Sequence, residues 1–211
     1  MTESTYTIDR FVTDVRQVFA NVKDARAQAQ AVAKHMKDLL AEPDLTEEIH
    51  RRSGGKPGRV DLHIDEEYGH PAPGFCLMTS LPGPRVERAG ARAPHDHGAS
   101  FVVYGVYKGA IEQTKFKWSY TKEGDWTAPE LKTSEGFVQR PGDVAFFLPG
   151  EIHKTASVGN EPPVVIRLEA QRLDRVLRHA YNPEKNTAVL QKGLGISGGN
   201  APGIDRRTDD G

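Results

Sequence analysis

The chain has 211 residues, 37% hydrophobic and 27% charged, with 28 Lys and Arg against 29 Asp and Glu. That composition fits one ordinary soluble domain with short additions, and a net charge of −1 argues against nucleic acid or an anionic membrane as partner. No stretch approaches the ~18 uninterrupted apolar residues of a membrane span, and the opening MTESTYTIDRF lacks the basic and apolar parts of a secretory signal, so a cytoplasmic location is expected.

From Thr7 to Leu40 there is no Gly or Pro, and Ile8, Phe11, Val12, Val15, Val18, Phe19 and Val22 recur at offsets of three and four. This is one helical face, and it predicts a long helix or a helical hairpin that Pro43 ends. Asp44 to Glu48 read as the start of another short helix. Residues 1–50 are thus expected to be a helical layer packed on the rest of the chain, without chemistry of its own. After Arg51 the texture changes to Gly, Pro and short apolar runs such as FVVYGVY, FVQRPGDVAFFLPG and PPVVIRLEA. Such runs predict a mainly β domain of short strands over about residues 58–175, a sandwich or small barrel. The domain as a whole is assigned to 51–190, with Pro183 interrupting its last segment. Residues 191–211, rich in Gly and Asp, are expected to form a flexible tail. No internal repeat is present.

The single cysteine, Cys76, rules out an internal disulfide and a cysteine zinc cluster, so a metal would have to be held by His and carboxylates. Of eight histidines, His95 and His97 stand out as His-Asp-His-Gly before a strand-like run. In an extended chain residues i and i+2 share a face, so both imidazoles can address one ion, while Asp96 points away as a turn residue or a support for the ligands. The best third ligand is His153, delivered by PGDVAFFLPGEIH through two turns and an apolar strand.

PHDHGASFVVYGVYKG followed by PGDVAFFLPGEIH resembles the two motifs of the cupins, in which a jelly-roll barrel, the double-stranded β-helix, holds a metal between its sheets. Gly109 follows His97 by twelve residues and Gly142 precedes His153 by eleven, as that pattern requires. The glutamate usual four or five residues after the second histidine is replaced by Phe101 and Val102. The stretch HDHGASFVVYGVYKGAIEQTKF is similar to cysteine dioxygenase and its thiol dioxygenase relatives, over roughly residues 59–175. That resemblance implies Fe(II) held by three histidines, with O2 and a small anionic substrate, a thiol acid among the candidates. Imidazole also suits Mn, Ni or Zn.

Where thiol dioxygenases carry a Ser-x-His-x-Tyr group after the third ligand, this chain reads Val165-Ile166-Arg167-Leu168-Glu169, so free cysteine is expected to be a poor substrate. Arg167 is the first choice for binding a substrate carboxylate, and Glu169 for orienting Arg167 or accepting a proton. Alternation puts both on one face of their strand; the bland alternative is a solvated face on which they simply pair. Arg59 and His63 lie where the resemblance places a substrate-binding arginine. Tyr104 and Tyr107 face opposite sides, so one alone can approach the cavity, and Tyr104 is the candidate catalytic residue. Trp118, Trp126 and Phe137 are read as packing residues, and Cys76 as a small buried one. Two further readings are a metal-dependent hydrolase or isomerase, and a small-molecule-binding cupin without turnover. The oligomeric state stays open, with a homodimer the form considered.

Overall fold

The computed structural model describes residues 6–82, 93–119 and 130–191. Thr7 accepts a hydrogen bond from the Arg10 amide and starts helix α1 (Ile8–Asn21), which buries Ile8, Phe11, Val12, Val15, Val18 and Phe19. The chain then turns at Val22-Lys23-Asp24, and the Asp24 carboxylate accepts from the Ala27 amide at 2.8 Å to open helix α2 (Ala25–Leu40). The hairpin alternative is therefore the one adopted. An aspartate whose oxygen can satisfy the free amides of a new helix start favours a break within an otherwise uninterrupted periodicity. Helix α3 (Leu45–Ser53) follows and ends at Gly54, whose φ is +61°.

Ten strands follow among the described residues: β1 (Gly58–Ile64), β2 (Cys76–Leu81), β3 (Val102–Lys108), β4 (Ala110–Ser119), β5 (Glu130–Gln139), β6 (Val144–Phe147), β7 (Ile152–Val158), β8 (Val164–Glu169), β9 (Arg178–Asn182) and β10 (Thr187–Gln191). One antiparallel sheet has the order β1-β2-β8-β3-β6 and a second the order β5-β4-β7. From β3 to β8 the chain passes back and forth between the two, which is the winding of a double-stranded β-helix. The sheets run past residue 175, where the sequence reading of the strands stops. Pro183 sits in the turn of the β9-β10 hairpin, where the Asn182 side chain accepts from the amides of Glu184 and Lys185 at 3.0 and 3.1 Å. The predicted tail lies outside the described residues except for Gln191, and Trp126 lies outside them altogether. No helix among the described residues is long and apolar enough to cross a membrane.

The five-stranded sheet is apolar on both faces for different reasons. Leu77, Val103, Ile166 and Leu168 point outward and join the helices in one core. Close contact with α2 requires Gly105, where a Cβ would meet Met36 Cγ at 2.8 Å and Leu40 Cδ1 at 2.9 Å. The opposite face carries Val102, Tyr104 and Phe147, which pack with Leu173, Val165 and Phe137 inside the barrel. Tyr107 points to the helix side, where its hydroxyl accepts from Thr46, so Tyr104 is the tyrosine of the pair that faces inward.

Candidate metal centre

His95 and His153 are direct partners in an antiparallel bridge. Each donates its backbone amide to the other's carbonyl, at 2.9 and 3.0 Å, so their side chains leave the same face. His95 also bridges Ala180, which inserts this short segment between β7 and β9. The His-Asp-His-Gly motif is thus an extended loop pinned on both sides rather than part of a strand, and the alternation expected of a strand still holds. His97 turns inward, while Asp96 points away and accepts from the Gly98 amide (2.9 Å), the His179 amide (3.1 Å) and the Tyr181 hydroxyl (2.6 Å). Burial raises the Asp96 carboxyl, but the hydrogen bonds from Tyr181 and the two amides outweigh it and hold it below the usual carboxylate range. Gly98 has φ +58°, and a Cβ there would stand 2.0 Å from the Leu177 carbonyl, so the loop admits no other residue without shifting.

The three imidazoles converge. One ring nitrogen from each of His95, His97 and His153 lies within 4.8 Å of the others, and all three residues are buried. The Nε2 atoms of His97 and His153 are 3.2 Å apart, which suits two nitrogens each about 2.1 Å from one divalent ion. The outer nitrogens of His95 and His153 set their tautomers, while His97 Nδ1 is buried without a hydrogen-bond partner. His95 Nδ1 faces the Ala93 carbonyl at 3.0 Å, and His153 Nδ1 faces Gln113 Oε1 at 2.9 Å. Both partners are acceptors, so each Nδ1 carries the proton and each Nε2 presents a lone pair to the centre. Burial above all, with the charges of neighbouring imidazoles and Arg167, pushes His97 well below its ordinary value and His153 down to about 2. Neutral imidazoles with lone pairs aimed at one point are the donor set of a divalent transition metal. Among the described residues no Asp or Glu belongs to the group.

Gln113 escapes the sequence reading. It is fully buried on β4, accepts from the Thr155 hydroxyl as well as from His153, and donates to Gln139 Oε1 at 2.9 Å; Gln139 in turn donates to the Tyr104 carbonyl. Its signal is a polar residue at an inward position of the alternating run Ile111, Gln113, Lys115. Because Gln113 fixes the His153 tautomer, Gln113→Leu should weaken metal binding about 10–100-fold, measured by competition with a chelator, while Gln113→Glu should not.

Tyr104 places its hydroxyl 3.4 Å from His97 Nε2 and its ring edge-on to Phe147. Its cross-strand partner is Arg167, so Arg167 also faces the barrel interior, and its guanidinium lies 6.0 Å from the Tyr104 ring centroid. Arg167 Nη2 donates to Glu169 Oε1, and Glu169 Oε2 accepts from the Leu173 amide at 2.9 Å. Burial opposes the guanidinium charge, but Tyr104 and Glu169 more than offset it, and the Arg167 pKa is raised. The pair foreseen in the sequence therefore exists, on the inner face and not a solvated one. Cys76 lies beside Glu169 in the register, and burial, with Asp61 and Glu169, pushes its thiol up to about 12, so it stays protonated.

Arg59 and His63 are not brought together. Arg59 is largely exposed on the inward side of β1, with its Nε 2.9 Å from Asp61. A bulge between Asp61 and His63 reverses the alternation, so His63 turns to the helix side, packs on Phe75 and pairs with Asp65 at 3.2 Å. The structure thus corrects the expectation that His63 lines the substrate site. Trp118 is half exposed against Tyr181, whereas Phe137 packs toward the inner cluster.

No family model and no curated protein matches the chain. Among solved structures, oxalate decarboxylase from Bacillus subtilis at pH 4.6 aligns at 21% identity over 46% of this chain and 21% of its own, with a TM-score of 0.31. A conserved protein with a double-stranded β-helix domain from Klebsiella pneumoniae aligns at 18% identity over 69% of this chain and 88% of its own, with a TM-score of 0.34. The chain spans about one fifth of the length of the oxalate decarboxylase it matches. The strand order and the histidine geometry stand without these alignments. The fold is a double-stranded β-helix, with three buried histidines between its sheets suited to a divalent metal.

Proposed function

We propose that this protein is a non-heme Fe(II) dioxygenase of the cysteine dioxygenase-like type, acting with O2 on a small anionic substrate, in the first instance a thiol acid. The observation that carries the reading is a buried centre of three neutral imidazoles that no carboxylate of the described residues joins. Such a centre leaves the whole divalent charge and several coordination positions for an anionic donor and a second small ligand. Iron held there supplies the one-electron chemistry that dioxygen requires, and the protein supplies position, charge and exclusion of water. Phe147, fully buried, stacks on His153 at 3.7 Å between centroids and with Val102 and Tyr104 keeps one wall of the site dry. The Tyr104 hydroxyl, beside His97 Nε2, is placed to donate a hydrogen bond to a substrate atom, and Arg167 with Glu169 holds that tyrosine in place.

Oxygen uptake by iron-loaded protein over a panel of thiol acids should require both iron and substrate, and should match substrate loss mole for mole. Anaerobic turnover by zinc-loaded protein would replace this reading with the hydrolase or isomerase alternative. Mn and Ni are the further metals to load in the same assay.

A further inference from the structure

The inner wall of the three-stranded sheet carries a cation that the reading so far leaves unused. Lys115 is the cross-strand partner of His153, so its side chain leaves the sheet on the same face as that ligand. Its Nζ lies 5.8 Å from the Phe137 ring centroid and 5.6 Å from that of Phe147, the ring that stacks on His153. Two aromatic faces thus flank the ammonium on the face of the sheet that carries His153. Its acidic partner, Glu135, is 3.7 Å away with 60% of its side chain exposed, so the charge on Lys115 is only loosely compensated. Arg167 also faces the interior and lies over a ring, that of Tyr104, but it differs in how its charge is met. Its Nη2 is committed to Glu169, itself anchored by the Leu173 amide, and its Nε is buried without a hydrogen-bond partner.

We infer that Lys115, on its shelf of Phe137 and Phe147, is the anion anchor of this site, and that Arg167 is a positioning residue for Tyr104. The inference rests on the metal-centre reading above and narrows its substrate class. The ligand is a small molecule with one anionic donor for the metal and a separate carboxylate for Lys115. Two negative charges then meet the two surplus charges of the metal and the one of Lys115. A neutral group in place of the carboxylate forfeits a charge-assisted hydrogen bond. With 30% of the Lys115 side chain exposed, added salt should weaken the preference.

The test uses the full-length protein loaded with Co(II), whose sulfur-to-cobalt absorption reports thiolate binding without turnover. The probes are mercaptoacetate and 2-mercaptoethanol, which share an S–C–C–O skeleton and differ in the charge on the oxygen. Wild-type protein should bind mercaptoacetate at least about tenfold more tightly. Lys115→Met should bring the two within about twofold of each other, and Lys115→Arg should keep most of the difference. A wild-type protein that does not distinguish the probes, or a Lys115→Met protein with full Co(II) and an unchanged ratio, overturns the anchor alone. A protein that takes up no Co(II) overturns the metal-centre reading and the anchor with it.

Discussion

His153→Ala is expected to lose essentially all stoichiometric metal, as are His95→Ala and His97→Ala, because each removes one of the three ligands found among the described residues. Elemental analysis of protein purified without a metal-affinity step reads this directly, and full occupancy in any of the three variants would contradict the site. Acid should act differently from what free histidine chemistry implies. His97 and His153 are depressed in the folded protein, His153 to about 2, against about 6.5 in the unfolded chain. Below pH ~6.5 the unfolded state therefore binds protons that the folded state refuses, so stability falls as pH falls. The slope is about 1.4 kcal/mol per pH unit for each such imidazole, and the contribution is fully present only above pH ~6.5. Within the folded protein, protons compete poorly for His153. Metal release and loss of structure should consequently coincide on acidification, by metal analysis and circular dichroism on the same samples. Release near pH 6 with the dichroism spectrum intact would show that the ligands are not held neutral by burial.

Glu169→Ala should be the most destabilising single change inside the barrel outside the ligands. It strands the Arg167 guanidinium, whose side chain is only 19% exposed, and frees the Leu173 amide that Glu169 also holds. Breaking a buried pair from one side costs about 3–5 kcal/mol, and the partial exposure of Arg167 places the expectation near 3. In a chain of this size that corresponds to a fall in Tm of roughly 6–12 °C. Replacing both members, Arg167→Met with Glu169→Leu, should recover most of the loss, since no unpaired charge remains. Urea unfolding of Arg167→Met, Glu169→Leu and the double variant measures the coupling. A double variant no more stable than Glu169→Leu would mean that the pair contributes shape rather than charge compensation.

Local sequence determined a good deal about this protein. The helical layer is legible because offsets of three and four need no knowledge of what the helices pack against. The histidine centre is legible because His95 and His97 are held to one face by the alternation of an extended chain, and His153 is carried by a strand between two glycine-bounded turns. The inward course of Arg167 and Glu169 follows from the same alternation once one residue of the strand is placed, but which face is inward came from the pairing of Arg167 with Tyr104. Register between strands distant in sequence decided the rest. Gln113 is a support for His153, and Lys115 its neighbour, only because β4 lies beside β7 in one particular alignment. Nothing within AIEQTKFKW encodes that alignment. Arg59 and His63, four residues apart, share a face in any regular strand; a single bulged residue between Asp61 and His63 puts them on opposite sides of the sheet. Such a bulge shows only in how β1 is paired with β2, which is a property of the packed molecule.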